Sequence, residues 1–108
     1  PIPQIDYASR GRPVALGSWE KIVGFNTIWF TETQVLITLK TTAWDEIDGT
    51  REGRATFVIT RQNTSKTIVI REGQTRTISG LQLELKTAFE EYKEGRYEPM
   101  VELRASKE

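Results

Sequence analysis

The chain contains no histidine and no cysteine. Their absence removes disulfide frameworks, zinc sites, thiol nucleophiles and histidine proton shuttles together. Net charge is missing too, because fifteen basic residues balance fifteen acidic ones. General nucleic-acid affinity comes mostly from basic charge meeting phosphates, so no nucleic-acid partner is predicted. No run of about 18 apolar residues occurs, and no membrane span is predicted. No stretch has the charged, apolar and small-residue order of a signal peptide. The first residue is Pro1, which fits a removed leader or a removed initiator Met equally.

At 108 residues the chain suits one domain with one core. Fourteen Thr are present, most of them inside strand-like runs. Thr is good β chemistry and is common on the wet faces of exported β-domains, so the expectation leans to export. Residues 1–18 are punctuated by Pro and Gly and read as an irregular segment packed on the domain, with Ile2, Ile5 and Tyr7 docking as an edge strand. From residue 19 to 104 the texture is that of strands. Val35, Ile37 and Leu39 alternate with Thr38 and Lys40, and Leu81, Leu83 and Leu85 alternate with Gln82, Glu84 and Lys86. Polar stretches at Asp45 to Gly53 and Glu90 to Gly95 read as loops, with one helical turn admissible over Phe89 to Lys93. Residues 105–108 read as a frayed tail. The prediction is an all-β, antiparallel β-sandwich of about seven or eight short strands, immunoglobulin-like in architecture and without substantial helix.

Two segments resemble each other. One runs Leu39-Lys40-Thr41-Thr42-Ala43-Trp44-Asp45-Glu46-Ile47; the other runs Leu85-Lys86-Thr87-Ala88-Phe89-Glu90-Glu91-Tyr92. Each is followed by Glu-Gly-Arg and a further strand. This alignment equates Trp44 with Phe89 and Ile47 with Tyr92, and gives the first copy one extra Thr. A β-bulge near Thr41-Thr42 would absorb it. Shared turn chemistry alone produces such likeness. The functional reading is two equivalent loops forming one binding edge.

The acids of the first loop resemble a calcium loop only loosely. Their spacing departs from the EF-hand pattern, and Arg51 and Arg54 neutralise them, so no metal is predicted. Paired-carboxylate hydrolysis needs one acid with a raised pKa, whereas these acids are flanked by Lys and Arg. No cofactor is expected.

An apolar, aromatic base under an acidic rim instead suits an interface. The candidate partner surface is Trp44, Asp45, Glu46, Ile47, Asp48, Phe89, Glu90, Glu91 and Tyr92, with Trp29 outward-facing on its strand. The leading expectation is a non-enzymatic protein-binding module, an accessory or structural subunit of a larger exported or surface assembly. The alternatives are a carbohydrate-binding module using exposed Trp and a small carboxylate-based hydrolase. Val35 to Leu39 and Lys66 to Ile70, rich in β-branched residues, are the segments through which an open edge would self-associate.

Overall fold

A computed structural model describes residues 11–108, so the edge strand suggested for Ile2, Ile5 and Tyr7 lies outside the described residues. These residues form nine strands and no helix: β1 (Arg12–Val14), β2 (Trp19–Val23), β3 (Thr27–Phe30), β4 (Val35–Ile47), β5 (Thr50–Arg61), β6 (Thr64–Arg71), β7 (Thr75–Ile78), β8 (Leu81–Lys93) and β9 (Arg96–Lys107). They make a β-sandwich. One sheet has the order β1-β3-β4-β5-β6, the other β2-β9-β8-β7. All pairs are antiparallel except β1 with β3.

Alternation builds the core. Val35, Ile37 and Leu39 of β4 and Phe57 and Ile59 of β5 face Leu81, Leu83 and Leu85 of β8 and Val101, Leu103 and Ala105 of β9, all buried. Burying one such large side chain contributes roughly 1.5–3 kcal/mol.

Several segments differ from the sequence expectation. The two polar loops are strands almost to their ends, because β4 and β8 each run for 13 residues and turn only at Asp48-Gly49 and Glu94-Gly95. Phe89 to Lys93 is strand, with no helical turn. β9 continues through the expected tail to Lys107, held there by buried Ala105. Arg12–Val14 is a strand within the segment read as irregular. Pro99 sits in β9, which is central in its sheet; β2 stops pairing at Met100, so the missing N–H falls just beyond the ladder.

The internal repeat is larger and more regular than the sequence alignment suggests. In β4–β5, Val35 pairs with Arg61; in β8–β9, Leu81 pairs with Lys107, each 46 residues on. That spacing holds through both hairpins with no inserted Thr. Both copies are bulged, at Leu39/Thr41 and at Leu85/Thr87. Position 44 therefore matches Glu90, not Phe89.

The equivalence extends to the preceding strands. β2 pairs with β9 as β6 pairs with β5. The Gly24 N–H donates to the Pro99 carbonyl (2.7 Å) and the Glu72 N–H to the Gly53 carbonyl (3.0 Å). Leu39 N–H donates to Asn26 and Leu85 N–H to Gln74. The sandwich is thus two four-strand units, β2–β5 and β6–β9, each lending its first strand to the other's sheet.

Candidate functional site at the hairpin ends

The β4–β5 and β8–β9 hairpins project at the same end of the sandwich. Both tips are two-residue turns with positive φ at both positions: 51° and 77° at Asp48-Gly49, and 51° and 83° at Glu94-Gly95. This turn type matches the right-handed twist of the flanking strands and lets pairing run to the tip.

Pairing without further slips fixes which side chains face the gap between the hairpins. From buried Thr42, alternation puts Trp44 and Glu46 on the inner face. Their neighbours on β5 are Gly53, opposite Trp44, and Arg51, opposite Glu46. From buried Ala88, alternation puts Glu90 and Tyr92 inward, opposite Pro99 and Tyr97. Tyr92 and Tyr97 meet edge to face with ring centroids 5.2 Å apart. A cleft of about 280 Å³ lies at the base, lined by Thr42, Ala43, Trp44, Arg51, Phe89 and Glu90.

Three polar groups tie the hairpins together beneath that cleft. Glu72, in the β6–β7 crossover, accepts the Gly53 N–H (2.6 Å) and the Ala88 N–H (2.9 Å). Arg51 donates to the Ala88 carbonyl (3.0 Å) and lies 3.8 Å from Glu72. Thr42 Oγ1 donates to the Phe89 carbonyl (3.2 Å).

The outer face of the first hairpin is an ion cluster. Asp45 is bonded to Arg54 and lies 3.1 Å from Arg71, which lies 3.6 Å from Glu52. Hydrogen bonds from Arg54, then Arg71, hold the Asp45 carboxyl below the ordinary value of 3.8. The same contact raises Arg54. A carboxyl stabilised as the anion is the opposite of a general acid. Among the described residues no group of three carboxylates is placed to hold a metal ion.

The residues singled out from sequence therefore divide. Trp44, Glu46, Glu90 and Tyr92 face the gap. Asp45, Ile47 and Glu91 lie on outer faces, and Asp48 is in the turn. Phe89 is half-buried on the outer face, in a row with Met100 and Val23. Trp29 is half-buried on the outer face of the five-stranded sheet, in β3, away from the hairpin ends. Sequence reasoning left Tyr97, Arg51 and Glu72 out of the surface. The alternation of Tyr97 with Pro99 carried a signal, whereas nothing local marked Glu72 as more than a turn residue.

No protein-family model, curated protein or solved structure matches the chain.

Proposed function

We propose that the chain is a non-enzymatic protein-binding module, an accessory or structural subunit that engages its partner with the two hairpin ends. The observation that carries this reading is where the large apolar side chains are exposed. Among the described residues there are six, and four of them sit on these ends: Trp44 (58%), Ile47 (44%), Tyr92 (64%) and Tyr97 (68%). Isolated exposed apolar residues need no explanation, but grouped aromatics rimmed by charge are the composition of interface anchors. The base is rigid, because Glu72, Arg51 and Thr42 fasten one hairpin to the other. Rigid anchors lose little freedom on binding. The absent His and Cys, and an Asp45 held as the anion, argue against catalysis at this end.

The test is affinity capture from the native source with wild type and a Trp44→Ala/Tyr97→Ala variant, both checked for folding. Truncating two anchors worth about 2 kcal/mol each weakens binding well over tenfold, so a stoichiometric partner held by wild type is lost. Equal recovery by both proteins overturns the reading. Glycan stacking on Trp44 is the alternative, and Trp fluorescence against a glycan panel separates it.

A further inference from the structure

The repeat places acid and aromatic in opposite order on the two facing hairpins. Within the two hairpins, positions 46 residues apart are equivalent, so Trp44 corresponds to Glu90, and Glu46 to Tyr92. One level of the gap therefore holds Trp44 and Glu90, and the other holds Glu46 and Arg51 with the packed rings of Tyr92 and Tyr97. Neither Glu46 nor Glu90 makes an ion pair among the described residues. Arg51, the basic side chain on this inner face, is turned down to the Ala88 carbonyl and Glu72. Among the described residues, the two carboxylates of the gap thus have no ion-pair partner. The wider end agrees: residues 42–54 and 88–100 carry eight acids against four bases, in a chain whose total is zero.

Aromatic faces beside carboxylates recognise organic cations. The ring quadrupole attracts the charge, the ring surface packs on an aliphatic stem, and the carboxylates supply the counter-charge. Anionic or neutral apolar groups leave the carboxylates unsatisfied. The cleft, about 280 Å³, lies just below the roughly 300–1,000 Å³ of ordinary small-molecule pockets, a size that suits one inserted side chain.

We infer that the gap between the hairpin ends takes a cationic side chain, the ammonium of a Lys or the guanidinium of an Arg, presented by the protein partner. Its stem lies along Trp44 and Tyr92, and its charge sits between Glu46 and Glu90. This rests on the protein-binding reading and names the chemistry of its anchor. The two carboxylates set selectivity and the rings supply contact area.

The experiment uses the full chain, 15N-labelled, and follows its three Trp indole N–H signals, with Trp44→Phe assigning that of Trp44. The probes are Nα-acetyl-lysine amide and Nα-acetyl-arginine amide. Nα-acetyl-norleucine amide serves as the uncharged control. The expected result is saturable movement of the Trp44 signal with at least one cation and none with the control. It should weaken about tenfold in a Glu46→Gln/Glu90→Gln variant, the change that follows from losing about 1.4 kcal/mol. Both substitutions are at exposed positions, so folding is kept. No saturable movement with either cation, or equal movement with norleucine, overturns the inference. The two readings fail separately. If the Trp44→Ala/Tyr97→Ala variant loses the partner while Glu46→Gln/Glu90→Gln captures it undiminished, the cationic anchor is wrong and the protein-binding surface stands.

Discussion

At Gly53 the two sheets approach each other closely, and its missing side chain is what allows it. A Cβ there would lie 2.4 Å from the Ala88 carbonyl oxygen and 2.8 Å from the Glu72 carboxyl carbon. Backbone cannot give way as a flexible side chain can. The close approach also delivers the Gly53 N–H to Glu72, whose second oxygen takes Ala88 N–H from the other sheet. Hydrogen bonds to an ionised acceptor are roughly twice as strong as neutral ones. The repeat shows why this clasp occurs once. The counterpart of Gly53 is Pro99, which has no N–H to satisfy, and the counterpart of Glu72 is Gly24, which has no carboxylate to offer. The two differences match each other. Gly53→Ala is therefore expected to destabilise the fold by about 1–3 kcal/mol, the usual cost of overpacking. Urea unfolding checks it: the midpoint should fall with the slope unchanged. An unmoved midpoint would mean that the approach at Gly53 constrains nothing.

At the scale of the element, the hairpin ends are strands held by charge rather than by core. Beyond Thr42 and Ala55 the first hairpin buries little, and its outer face is tied by Asp45 to Arg54 and Arg71. Because Asp45 is depressed in the folded chain, this tie is fully present above the ordinary carboxyl value of 3.8. It is lost as pH falls through the lower folded value. Amide protection over residues 44–53 should thus hold to near pH 4 and drop on further acidification, while the core strands stay protected. Asp45→Asn should lower protection of the same amides at neutral pH and remove the acid step. Equal pH profiles in wild type and variant would show that the ion cluster does not hold the end. This charge-built character is also what hid the ends in the sequence. Val35 to Leu39 and Leu81 to Leu85 were legible as strands because one face is apolar. Asp45-Glu46 and Glu90-Glu91 carry no such period, since cross-strand partners and positive-φ turns, not burial, keep them extended. The aromatic acidic end was legible as composition. Its inner and outer faces were not, because they depend on a bulge present in both copies, and a one-residue error in register exchanges the faces.

At the scale of the whole molecule, the described residues leave two open sides, and the repeat closes them differently. On one side β1 lies beside β3, and Arg12 reaches from it across to β2, donating to the Lys21 carbonyl (2.8 Å) and pairing with Glu20 (3.1 Å). On the other side β7 and β6 are the edges, and no counterpart of β1 is present among the described residues. There Arg76 of β7 donates to the Val69 carbonyl (3.0 Å). Lys21 pairs with Glu102 and Val69 with Thr56, and Thr56 and Glu102 are equivalent positions 46 residues apart, so the two capped carbonyls are equivalent. Arg76 itself occupies the position of Ile28, since Arg76 pairs with Leu83 as Ile28 pairs with Ile37. Where β1 is present, an apolar Ile28 suffices and Arg12 supplies the cap. Where it is absent, the strand carries its own guanidinium. A free strand edge is a template for further pairing, and a chain of zero net charge has little self-repulsion to oppose it. Val69 is exposed on this edge strand. Arg76→Ile, which restores the residue found in the other half, is expected to fold and to self-associate with rising concentration. Arg76→Lys, which keeps a charge at the edge, is expected to associate less. Sedimentation velocity across a concentration series reads both. A monodisperse Arg76→Ile protein throughout the series would show that the edge is kept closed by something other than Arg76.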